Sequence, residues 1–214
     1  MNSTWRDAPL VALDLEGSGA QDGADEAILE VAVVPLRGGR PDRDGVYTTL
    51  VNPGRPVPRR PWLSPGLVDR VLSAAPSLVD IEPRLSAMVN GTFLVGHNVG
   101  VDWRLLHRRC PRLTPVGLLD TLRLARHLQL PGKRSLTALL ASFNLTSRVT
   151  ATAPGSQPHR ALWDTVGTAL LLETLIRHGW NDEPGLDELL ATASVMLDEQ
   201  PAATRPEQPS LLDL

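Results

Sequence analysis

One cysteine, Cys110, stands in a chain of 214 residues. It cannot close an intrachain disulfide, and it has no cysteine partner for a zinc cluster, so a disulfide scaffold and a thiolate metal centre are both excluded. The expected setting is cytoplasmic. Long hydrophobic runs are missing too: charges interrupt every apolar stretch within a few residues, and MNSTWRDAPL at the start has no basic segment leading into an apolar one. Neither membrane spanning nor export is signalled. No segment repeats. Neither G-x-G-x-x-G nor a loop ending in G-K-[ST] is present, which leaves no glycine-rich phosphate cradle.

What is present is ordinary globular composition, with 42% hydrophobic and 21% charged residues. The length suits one α/β domain, expected over residues 1–180, followed by an acidic C-terminal helix and flexible tail over 181–214. Net charge is −3, unevenly spread. Eight acidic residues fall in 181–214 against Arg205 alone, which leaves residues 1–180 at +4. Within 104–134, Arg104, Arg108, Arg109, Arg112, Arg123, Arg126, Lys133 and Arg134 face only Asp120. Such a body can attract phosphate. Chance clustering in a chain with 20 arginines and one lysine accounts for the same pattern.

VALDLEG alternates, with Val11, Leu13 and Leu15 to one side and Asp14 and Glu16 to the other, which is strand periodicity. AILEVAVVPL (27–36) and VYTTLVN (46–52) are further β-rich runs, so a meander of three antiparallel strands is expected. Helices are expected at 65–74 and 77–90, then a strand at TFLVGH and a helix beginning at Asp102. A short strand near 117–120 precedes helices across 121–128 and 135–143. The segment 146–158 has no apolar period, whereas RALWDTVGTALLLETLIRHG reads as an amphipathic helix and helix propensity returns at 186–197. The order implies a mixed sheet flanked by helices.

Two carboxylates side by side at a strand end repel, and a divalent cation removes that repulsion. A solvent-facing edge strand tolerates the same pair. Asp102 follows the strand TFLVGH, and strand carboxyl ends open onto the ligand crevice of α/β sheets; an N-cap is its plainer role. His97 and Asn98 share that turn, where hydrogen bonding to backbone suffices to explain them. His159 and Asp164 would differ by about 140° on one continuous helix and could not address one site. The conflict disappears if His159 precedes the helix and Asp164 lies in its first turns.

Three segments together, VALDLEGSG, LVGHNVGVD and HRALWDTVGTALL, resemble the DnaQ-like (DEDDh) 3′–5′ exonuclease superfamily, with DTLRLAR and SLTALLASFNL similar to its connecting segments. The resemblance spans about residues 9–178. It implies a ribonuclease H-like α/β fold with a five-stranded mixed sheet whose second strand is antiparallel to its neighbours. It also implies two divalent cations, Mg²⁺ or Mn²⁺, held by Asp14, Glu16, Asp102 and Asp164, with His159 as general base. The implied reaction releases nucleoside 5′-monophosphates from the 3′ end of single-stranded or frayed DNA. RNA trimming, or nucleic-acid binding without catalysis, are the alternatives. Leu15, Gly17, Ser18 and Trp103 are candidate contacts to the terminal nucleotide, although Leu15 and Trp103 suit a core equally well. Gly17 departs from the threonine usual in the family, and Val101 from phenylalanine. Near the C-terminus, Gln208, Leu211 and Leu212 resemble the short peptide by which bacterial proteins bind the sliding clamp, with Pro209 and Leu212 as departures.

Overall fold

The computed structural model describes residues 4–19, 26–58, 60–61, 63–64 and 66–197. The clamp-like residues Gln208, Leu211 and Leu212 lie outside them. A long antiparallel pair, β1 (Leu10–Gly17) and β2 (Ile28–Arg37), forms the middle of the sheet. Next to β2 lie a two-residue strand, β3 (Arg40–Pro41), and β4 (Tyr47–Leu50), both antiparallel to it. On the other side of β1, β5 (Phe93–Gly96) and β6 (Gly117–Asp120) run parallel to it. A second two-residue strand, β7 (Ser194–Val195), closes that edge antiparallel. The five longer strands form the expected mixed sheet, with β2 antiparallel to its neighbours. The two short ones extend its edges.

Alternation along β1 sends its side chains into two cores. Leu10 and Ala12 join one cluster, and Val11, Leu13 and Leu15 join the other. The second cluster is covered by α2 (Leu78–Val89) and α3 (Val99–Arg109). The first is covered by α4 (Thr121–His127), α5 (Leu136–Ser142), α6 (Thr146–Thr152) and α7 (Ala161–Gly179). Leu189 and Ala193 of α8 (Leu186–Ala193) are fully buried in that same cluster.

Several expectations change. The helix expected at 65–74 shrinks to α1 (Asp69–Leu72), a single turn. Gly66 sits at φ 89°, outside helical geometry, and Pro76 limits continuation beyond it. The segment 146–158 contains α6, which intrinsic propensity disfavours because four of its seven residues are Ser or Thr. Buried Val149 and Ala153 dock it on α7, and the indole N–H of Trp163 reaches Thr150 Oγ1 at 3.3 Å. Helix α7 is buried nearly all round rather than amphipathic, because it lies between the sheet and three other helices. Residues 186–195 are integral to the fold as α8 and β7, so no edge of the core falls at 180. No helix among the described residues is long and apolar enough to cross a membrane.

Candidate active site

Strand β1 pairs with β5 only through Leu10, Val11 and Ala12, then runs on with β2 as its one strand neighbour among the described residues. That overhang opens a cleft at the carboxyl ends of the parallel strands, where α/β sheets place their ligands. Asp14 and Glu16 lie on it. Their oxygens and one from Asp164, in the first turn of α7, lie within 4.8 Å of one another. His159 precedes α7 while Asp164 is inside it, so the geometric conflict is removed in the way the spacing requires.

Asp102 arrives from α3. The chain leaves β5 through Gly96, where a β-carbon would stand 2.7 Å from the side chain of Val99, and through Asn98 in the left-handed region at φ 66°. Asp120 Oδ1 accepts the Asn98 amide at 2.9 Å while also capping α4 through Leu122 N at 2.8 Å. This carboxylate therefore fixes the turn that launches α3. Asp102, in the first turn of α3, accepts the amide of Leu15 at 3.1 Å, a donor left open by the overhang of β1. Asp102 is outside the three-carboxylate group, but its charge is felt there.

The electrostatics are those of a site short of positive charge. Burial pushes Glu16 up to about 8, and Asp164 and Glu30 add repulsion against a hydrogen bond from Ser64 Oγ. Burial likewise raises Asp102 to about 7. It raises Asp164 to about 7 against the opposing pull of the His159 amide. Asp14 is raised well above the ordinary carboxylate range, first by burial and then by Asp102, Asp164 and Glu16. Asp164 Oδ1 is buried and has no hydrogen-bond partner. An orphaned anionic oxygen among three other carboxylates fits a hard divalent cation, which takes oxygen ligands and offsets the repulsion.

His159 is exposed, with its backbone at φ 63° and its amide acting on the Asp164 carboxylate. The proposed nucleotide contacts fare differently. Leu15 is buried in the core. The Ser18 hydroxyl accepts the Ala27 amide at 3.0 Å, which seals the β1–β2 end. Trp103 is buried, stacks on His107 and donates its indole N–H to Leu197 O at 3.0 Å. The side chains of all three are engaged in packing or hydrogen bonds within the fold. Only Gly17 stays partly open, and the space a side chain would take there is filled by Glu26, whose Oε1 would stand 2.7 Å from a β-carbon. His97 is a structural bridge, with Nδ1 2.9 Å from Thr121 Oγ1 and Nε2 2.9 Å from Arg134 O.

Ser64, Asp120 and the pair Glu30–Arg160 were not singled out by sequence. Glu30 opposes Glu16 in the β1–β2 register, is 5% exposed, and binds Arg160 through two oxygens at 2.7 and 2.8 Å. A lone glutamate inside the apolar run AILEVAVV signals a buried charge that needs a partner. Ser64, 48 residues from Glu16, carries no such signal.

The exonuclease family model of the RNase T type matches residues 11–172, which includes every residue of this cleft. The chain belongs to that family, in the DnaQ-like (DEDDh) 3′–5′ exonuclease superfamily. It is 32% identical over 165 residues to a DNA polymerase III subunit epsilon-like protein of Rhodobacter capsulatus, a match that covers 74% of this chain but 22% of that protein. The DNA polymerase III subunit epsilon of Aquifex aeolicus is 26% identical over 186 residues, with 84% of this chain and 86% of that one covered. Exonuclease X in complex with 5′ overhanging duplex DNA superposes with a TM-score of 0.63 at 28% identity, over 84% of this chain and 99% of that one.

Proposed function

We propose that this protein is a metal-dependent 3′–5′ exonuclease that removes nucleoside 5′-monophosphates from single-stranded or frayed DNA ends. The observation that carries the reading is the convergence of Asp14, Glu16 and Asp164 oxygens within 4.8 Å, beside a buried and unpartnered Asp164 Oδ1. Residues that fit divalent ions here are Asp14, Glu16 and Asp164, with Asp102 toward a second. Bound Mg²⁺ or Mn²⁺ supplies Lewis-acid activation of water and stabilisation of the departing 3′ oxygen.

The protein's own residues account for the rest. Asp102, tied to Leu15 N, and Asp164, on a buried helix, hold the carboxylate geometry rigidly. His159, exposed and five residues before Asp164, is the residue to take the proton of the attacking water near neutrality. Arginines on α3, which starts at this cleft, suit phosphate contacts that position a strand without reading its bases. The DNA assignment is supported by the exonuclease X–DNA likeness and by the epsilon-subunit relatives.

Incubation of 5′-labelled oligonucleotides with Mg²⁺ tests the reading. A ladder shortening from the 3′ end is expected on single-stranded DNA and on mismatched duplex ends. Faster digestion of RNA of the same sequence would overturn the DNA assignment. Replacement His159→Ala is expected to lower turnover by roughly 10²–10⁴-fold while Mn²⁺ binding persists; wild-type turnover in that variant removes the base assignment.

A further inference from the structure

We propose that the buried Glu30–Arg160 ion pair is a positioning device for His159, which fixes the backbone turn that holds the imidazole at the site and so acts on turnover through that side chain. The inference rests on the reading of His159 as general base.

Arg160 is held at three points. Its guanidinium grips Glu30 of β2 in a two-pronged bond at 2.7 and 2.8 Å. Its amide donates to Gln157 O at 3.1 Å, and its carbonyl accepts from Asp164 N at 3.1 Å. The residue before it, His159, adopts φ 63°, a conformation most side chains avoid. Residue 159 is exposed, and among the described residues its imidazole has no hydrogen-bond partner. The ring therefore starts from where its backbone stands, and that backbone is held by Arg160 on one side and by the His159 amide at the Asp164 carboxylate.

Docking of α7 does not need the pair. Trp163, Val166, Ala169, Leu170 and Leu171 already bury that helix against the sheet. A buried ion pair often contributes no more stability than apolar residues of like volume, so its specific value lies in the geometry it imposes. The guanidinium fork gives two-point orientation that a single ammonium cannot. Glu30 also faces Glu16 across the β1–β2 pair, so the anchor is built into the strand that adjoins the metal-binding carboxylates. The turn and those carboxylates share one rigid frame.

The test is a kinetic double-mutant cycle between Glu30→Gln and His159→Ala, with single-turnover digestion of single-stranded DNA in Mn²⁺, Mn²⁺ affinity by calorimetry, and thermal melts. Glu30→Gln is expected to lower the rate roughly 10–100-fold, as a misplacement of about 1 Å does, with KM within about twofold of wild type. Because Glu30 also repels Asp14, Glu16 and Asp164, the Mn²⁺ control is read in the charge-conserving Arg160→Lys, where affinity is expected to stay within about twofold. In the His159→Ala background the same change is expected to cost less than about twofold, because the group it positions is gone. Arg160→Lys, which keeps the charge but loses the fork, is expected to repeat the pattern and serves where Glu30→Gln folds poorly. Equal losses in both backgrounds would overturn the inference, as would a loss of Mn²⁺ affinity in Arg160→Lys that matches its loss of rate. Full activity of His159→Ala alone would instead defeat the base assignment, and this is visible before Glu30 is altered.

Discussion

Four carboxylates whose protonation is favoured by the fold make the metal-free protein sensitive to alkali. Glu16 at about 8 and Asp102 and Asp164 at about 7, all above their ordinary values near 4, bind protons in the native state that the unfolded chain has lost. Their contribution to stability is fully present below the unfolded values and disappears as pH rises through about 7 to 8. Metal-free protein is therefore expected to melt at a lower temperature at pH 8.5 than at pH 6, with Mn²⁺ at pH 8.5 recovering the loss. Asp164→Asn should flatten this slope. A metal-free melting temperature that rises across this window contradicts the electrostatic account. At this scale the convergence of carboxylates was legible: Asp14 and Glu16 paired on a strand face meet Asp164 from the first turn of the long helix. The partners of those residues were not. Asp120 and Ser64 matter through contacts that only the folded chain makes, across 22 and 48 residues of sequence.

Strands were read well because their composition and bounding turns mark them, and β1 and β2 are buried almost continuously, as a sheet covered on both faces demands. Helices that depend on tertiary support were the ones missed. Polar α6 is held by Val149 and Trp163 rather than by propensity; the helix expected from 186 is present as α8, but no local pattern announces that β7 after it closes a sheet edge. The last case carries a prediction. Leu189 on α8 is 0% exposed, so Leu189→Ala is expected to destabilise the whole domain by about 2–5 kcal/mol in urea unfolding, in one transition. A change below about 0.5 kcal/mol, the range of surface substitutions, would show that α8 is an appendage.

The whole molecule is a sheet sandwiched between two helical layers, with one strand longer than its parallel neighbour. That single mismatch places Asp14 and Glu16 beyond the last β1–β5 pair and frees the Leu15 amide for Asp102. Helix α7, buried on nearly all sides, then delivers Asp164 from the opposite layer with little freedom to move. The acidic stretch after residue 180 does not divide the protein there, since its first part completes the core. The central claim is that this junction holds divalent ions that hydrolyse the 3′ terminal phosphodiester of DNA. Mass spectrometry of the products from a single-stranded DNA oligomer, with Mg²⁺ or with chelator, for wild type and Asp14→Ala, tests it most directly. The expected result is nucleoside 5′-monophosphates from wild type with Mg²⁺ alone, and none from a folded Asp14→Ala; equal release by the variant, or release undiminished by chelator, would contradict it.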